Sequence, residues 1–326
     1  MSRIAVIGGG AWGTALASAY ARAGHATTLY ARDAATVASI NERRCNTRYL
    51  PGIELPADLA ATADPDAALA GAATVLMVVP AQALRGALTD FTPLLPRDAS
   101  IVLCSKGIER STGLFASQVL ADVLPQARAG ILSGPSFATD VAAGLPTAVT
   151  VAAPGPADAA ALAETLSTAA LRCYATDDML GVEAGGALKN VLAIAAGIVA
   201  GRGLGASASA ALVTRGFVEL RRLGEALGAR PDTLMGLSGL GDLILTCSGA
   251  QSRNFAYGLA VGRGDDLSGL KLAEGAFSAG ITARLADERG VEAPIIATVA
   301  AILAGTVSVE AAIQTLLARP LKREAD

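Results

Sequence analysis

The run from Ile4 to Gly13, I-A-V-I-G-G-G-A-W-G, passes from strand-forming apolar residues into glycines at Gly8, Gly10 and Gly13. Followed by a helical stretch (Thr14 to Arg22, with Gly24 placed to end it), this spacing suits the pyrophosphate of a dinucleotide. Glycines let the backbone approach phosphate closely, and the free N–H groups and dipole of a helix start favour negative charge. Lys189 is the second group equipped for chemistry. Its helical neighbours at i±3 and i±4 are Gly185, Gly186, Leu192 and Ala193, so its amine either snorkels to water or is buried for a purpose. Desolvation of a buried amine favours its neutral form and fits it for proton exchange near neutrality. Gly185 and Gly186 favour burial, because they let another element pack closely on that face. A third group is Gly239-Leu240-Gly241-Asp242, followed by Ser252-Arg253-Asn254 at a helix start. That start suits either a phosphate or a simple N-cap with a solvated arginine.

These residues need elements to hold them. The first half alternates strands (3–7, 26–30, 74–79, 100–104, 129–132, 147–151 and 171–174) with helices (33–44, 82–95, 112–124 and 157–169), the pattern of a doubly wound α/β sheet. Loops at Pro80-Ala81-Gln82, Ser105-Lys106-Gly107 and Ser133-Gly134-Pro135-Ser136 follow strand ends, where ligands bind in such sheets. At the end of the second strand, Arg32 would accommodate the 2′-phosphate of NADP, and Asp33 would either accept the 2′-hydroxyl of NAD or cap the next helix. Beyond about Thr176 the strand pattern gives way to helical spacing. The expected division is a Rossmann-like dinucleotide-binding domain, 1–175, and an all-helical substrate-binding domain, 176–326, with the site in the cleft between them.

Composition removes other classes. A single histidine, His25, lies just after a helix end and suits a structural role. A Ser-His-Asp triad or a multi-histidine metal site is hard to build from it. Cys45, Cys104, Cys173 and Cys247 are scattered without a C-x-x-C pair, as reduced thiols are, so no metal is expected. A net charge of −3 argues against general nucleic-acid or membrane affinity. The apolar stretch 191–200 is short for a membrane span, and Met1-Ser2-Arg3 runs straight into the first strand, so a cytoplasmic protein without stable membrane insertion is expected.

The markers G-G-G-A-W-G-T-A-L-A (8–17), N-T-R-Y-L-P-G (46–52), S-K-G (105–107), S-G-P-S-F-A (133–138), G-L-P-T-A-V-T-V (144–151), G-A-L-K-N-V (186–191), G-L-G-D-L-I-L-T-C (239–247) and S-R-N (252–254) closely resemble the bacterial-type NAD(P)-dependent glycerol-3-phosphate dehydrogenases along nearly the whole chain. The resemblance implies an oxidoreductase that interconverts dihydroxyacetone phosphate and sn-glycerol 3-phosphate with NADP or NAD, supplies glycerophospholipid synthesis and works as a homodimer. It implies Lys189 as the catalytic lysine, with Lys106, Gly134, Ser136, Lys189, Asp242, Ser252, Arg253 and Asn254 on the substrate. Gly8, Gly10, Ala11, Trp12, Gly13, Arg32, Lys106, Ala138, Arg253 and Glu274 would hold the cofactor. The chain departs from the family pattern at Asp140, at Phe255 and around Glu274.

Overall fold

The computed structural model describes residues 2–270 and 273–320. Its first half builds one eight-stranded sheet in the order β3-β2-β1-β4-β5-β6-β7-β8. The strands are β1 (Arg3–Ile7), β2 (Ala26–Tyr30), β3 (Ala60–Thr62), β4 (Thr74–Met77), β5 (Ser100–Leu103), β6 (Arg128–Ser133), β7 (Thr147–Ala152) and β8 (Leu171–Thr176). Every neighbouring pair is parallel except β6 and β7. Between them run α1 (Ala11–Arg22), α2 (Ala34–Arg43), α3 (Pro65–Leu69), α4 (Leu84–Phe91), α5 (Ala116–Val123), α6 (Ala138–Ala142) and α7 (Pro156–Leu166). The short β3 and α6 are additions to the sequence expectation; three to five residues carry too little periodicity to announce an element.

Alternation in β1 explains why helices cover both faces of the sheet. Ile4 and Val6 pack into one apolar layer with Leu16, Tyr20, Leu29 and Ile40, while Ala5 and Ile7 join Leu69, Met77, Leu88 and Phe91 in the other. Strand order reverses on either side of β1, and Ile7 is level with both Tyr30 and Met77. The glycine loop therefore leaves the sheet at its switch point, where open α/β sheets bind ligands. The half-buried His25 supports the adjoining turn, with Nδ1 3.1 Å from Ser2 Oγ and its ring edge-on to Tyr20.

From Asp177 to Pro320 the described residues are helical or irregular, as expected. The helices are α8 (Met179–Gly201), α9 (Gly205–Leu227), α10 (Pro231–Met235), α11 (Asp242–Cys247), α12 (Arg253–Arg263), α13 (Glu274–Glu288), α14 (Pro294–Leu303) and α15 (Val309–Leu317). The apolar run 191–200 belongs to α8, whose 23 residues are long enough to cross a bilayer. Yet 89% of its most apolar window is buried within the protein, as in a core helix. The chain falls into two units: Met1–Gly186 with Gly228–Asp242, and Ala187–Leu227 with Leu243–Asp326.

Candidate active site

The glycine loop meets the requirements of a pyrophosphate. Gly8 has φ +131°, and a Cβ there would lie 2.2 Å from the carbonyl oxygen of Val78, so only glycine fits between β1 and β4. Gly13 is equally confined: its Cβ would lie 1.9 Å from the Gly8 carbonyl oxygen. Gly10, the N-cap of α1, instead faces open space. No side chain caps that helix start and no acidic residue stands in its first turn. The N–H groups of Ala11, Trp12 and Gly13 thus begin a helix whose positive end is left for an anion. Trp12 follows with its indole Nε1 buried and without a hydrogen-bond partner among the described residues. Arg32 is exposed just beyond β2. Asp33 caps α2, accepting from the Ala35 N–H at 3.2 Å and the Thr36 hydroxyl at 2.8 Å. Ala138 opens α6.

Lys106, Gly134, Ser136 and Asp242 form one constellation beyond the sheet. Leu103 of β5 is level with Met77 and Ile131, so the loops after β5 and β6 leave the same edge. The Lys106 ammonium donates to the Gly134 carbonyl at 2.9 Å and to Asp242 at 2.8 Å. The Ser136 hydroxyl donates to the same carbonyl at 3.1 Å. Gly134 has φ +149°, and a Cβ would meet the Val149 backbone at 2.9 Å. Asp242 leaves a wide π-type turn, Leu237–Gly241, to open α11, and its side chain is 2% exposed. Its carboxylate balances the Lys106 charge.

The close approach expected around Gly185 and Gly186 is present. A Cβ on Gly185 would lie 2.7 Å from the Ser238 carbonyl oxygen, and one on Gly186 would lie 2.7 Å from Ser133 Oγ and 3.6 Å from Lys106 Cγ. Lys189 stands three residues on along α8. It is buried, and its amine donates to the Thr246 hydroxyl. Thr246, one turn along α11 from Asp242, is a partner the sequence reading missed.

Ser252 caps α12 through the Phe255 N–H at 3.3 Å. Arg253 is exposed and Asn254 is buried. The Asn254 amide donates to Asn190 Oδ1 at 2.9 Å, and its own oxygen accepts the Gly275 N–H at 2.8 Å. Asn254 therefore ties α12 to the residue beside Lys189 and to the start of α13, where the half-buried Glu274 lies. Two G-x-x-x-G pairs set this crossing. A Cβ on Gly197 or Gly201 of α8 would strike the α12 backbone at 2.2 or 2.4 Å, and one on Gly258 or Gly262 of α12 would strike α8 at 2.1 or 2.5 Å. Both pairs stand in the sequence and were the available signal for this contact.

Among the described residues no group of three or more His, Cys, Asp or Glu could hold a metal ion, and Cys45, Cys104 and Cys173 are free thiols. Comparison with known proteins is consistent along the chain. The family described as NAD-dependent glycerol-3-phosphate dehydrogenase matches through its N-terminal part at residues 3–159 and its C-terminal part at 178–314. A protein of Mesorhizobium japonicum named glycerol-3-phosphate dehydrogenase [NAD(P)+] is 61% identical over 322 residues, covering 99% of this chain and 94% of that protein. Its Brucella canis counterpart is 58% identical, covering 99% of each. A crystal structure of glycerol-3-phosphate dehydrogenase from Coxiella burnetii superposes with TM-score 0.92 at 39% identity, covering 98% of this chain and 99% of that one. The chain belongs to the NAD(P)-dependent glycerol-3-phosphate dehydrogenase family and is an oxidoreductase that uses NAD or NADP.

Proposed function

We propose that the chain reduces dihydroxyacetone phosphate to sn-glycerol 3-phosphate, and the reverse, with Lys189 as general acid and base. The single observation that carries this reading is the buried amine of Lys189, fixed by Thr246 on a helix whose neighbouring positions are small or apolar. When bound, the nicotinamide would supply hydride to the ketone carbon, leaving negative charge to be met at the ketone oxygen. Lys189, as ammonium, stabilises that oxygen and gives it a proton; in reverse the neutral amine takes the alcohol proton. Lys106, anchored by Gly134 and Asp242, positions the substrate, with Gly134 and Ser136 shaping the loop around it. Arg253 supplies charge for the substrate phosphate at a helix start set by Ser252 and Asn254. Grip on a group remote from the reacting carbon favours the reactive geometry.

Gly8, Gly10, Ala11, Trp12 and Gly13 cradle the cofactor, with Arg32, Lys106, Ala138, Arg253 and Glu274 completing its contacts. Residues 1–175 serve the dinucleotide and 176–326 the substrate. The product feeds glycerophospholipid synthesis in the cytoplasm, and the working form is a homodimer. One spectrophotometric series tests the activity: dihydroxyacetone phosphate with NADH and with NADPH, against unphosphorylated dihydroxyacetone. Oxidation that requires the phosphate supports the reading. Cofactor binding without ketone-dependent oxidation would mark a redox sensor instead and overturn it.

A further inference from the structure

Three charges crowd the end of β2: Arg32, Asp33 and Arg48. Arg48 comes from the loop after α2, and that loop is fastened to the glycine loop. The buried Asn46 amide donates to the Gly9 carbonyl at 3.0 Å and to the Thr14 hydroxyl at 2.8 Å. Asn46 in turn accepts the Tyr49 and Leu50 N–H groups at 3.2 and 2.8 Å, and Leu50 is buried beneath. The backbone around Arg48 is thereby held in place while its side chain stays 64% exposed. The guanidinium lies over the Tyr49 ring, 5.1 Å from its centroid, with Nη1 3.3 Å from Asp33 Oδ2.

Asp33 is the acidic residue that could otherwise have accepted a ribose hydroxyl. Its oxygens already serve the Ala35 N–H, the Thr36 hydroxyl and Arg48. The Thr36 hydroxyl first, then the Ala35 N–H, holds this carboxyl below its ordinary range. The cluster keeps one excess positive charge, on groups suited to a phosphate dianion.

We propose that Arg48 is a second cation for the cofactor's adenosine 2′-phosphate, acting with Arg32, and that Asp33 is its resting counter-ion. The inference rests on the NAD(P) reading of the glycine loop. It assigns preference for the phosphorylated ribose to a loop residue outside the β2 turn. Asp33 restrains that preference, because its carboxylate competes for Arg48 and repels the incoming phosphate.

Calorimetric titration of the full chain with 2′,5′-ADP and with 5′-ADP tests this apart from turnover. Arg48→Gln should weaken 2′,5′-ADP binding about tenfold, as for loss of one charge-assisted phosphate contact, and change 5′-ADP binding by less than about twofold. Asp33→Asn keeps a competent helix cap and should strengthen 2′,5′-ADP binding about threefold by releasing Arg48. Unchanged 2′,5′-ADP binding in Arg48→Gln would overturn the proposal, as would equal losses for the two nucleotides. Failure of the unaltered chain to bind either one would overturn the dinucleotide reading itself, and the proposal with it.

Discussion

Lys106 and Lys189 are both lysines close to glycines, yet the protein treats their charges differently. Lys106 lies on a loop after a strand, 19% exposed, and shares its ammonium between the Gly134 carbonyl and the Asp242 carboxylate. Lys189 is buried in the middle of a long apolar helix and donates to a hydroxyl. A carboxylate partner fixes an ammonium in place; a hydroxyl both donates and accepts, so it can also pass a proton. The roles proposed for the two, positioning for Lys106 and proton exchange for Lys189, rest on this contrast.

The largest expected effect follows from Lys189. Lys189→Ala should lower kcat about 100-fold or more with cofactor binding retained, as for loss of a general acid. Near-normal steady-state turnover would erase the contrast. Lys106→Met should act first on stability: it removes the ammonium that balances the buried Asp242 carboxylate and should cost about 3 kcal/mol in a denaturant melt, with part regained on adding Asp242→Asn. No loss of stability would mean that the ion pair does not hold the loop. Arg253→Ala should raise KM for the phosphorylated substrate about tenfold with little change in kcat, since an exposed guanidinium acts through binding. An unchanged KM removes Arg253 as the phosphate anchor.

The smallest effect concerns Glu183, six residues before Lys189 on α8. Burial pushes its carboxyl up to about 7, against the Ser117 N–H and hydroxyl bonds that favour the anion. The folded chain therefore keeps this proton to higher pH than the unfolded chain, whose carboxyl titrates near its ordinary 4.5. Its contribution to stability is complete below that value and declines as pH rises through about 7. Glu183→Gln should flatten that decline in melts at pH 5 and pH 8. An identical pH slope would show that this buried ionisable group is silent.

Much of this was legible in the sequence, for physical reasons that differ by region. The β1 turn declares itself because Gly8 and Gly13 stand where any Cβ would strike backbone. The burial of Lys189 was legible from small residues one turn away, since Gly185 and Gly186 have no other evident use on a helix. The partners of these residues were less so. Lys106 and Asp242 lie 136 positions apart, and Lys189 and Thr246 lie 57 apart. Side-chain periodicity reports which way a residue faces, whereas pairing at such separations depends on how distant elements pack. Asn254 shows the same limit: nothing beside it in sequence announces that its amide bridges Asn190 and Gly275. The G-x-x-x-G pairs of α8 and α12 could have signalled that bridge, because they bring the two backbones into contact.

The role of Lys189 is tested most directly by a single turnover. Chain preloaded with NADPH is mixed with excess dihydroxyacetone phosphate and followed by absorbance, for the unaltered chain and for Lys189→Ala. Proton donation by Lys189 predicts a transient slowed at least about 100-fold, with the NADPH Kd within about twofold. A transient of unaltered rate in Lys189→Ala would contradict it, and the proton donor would have to be another residue.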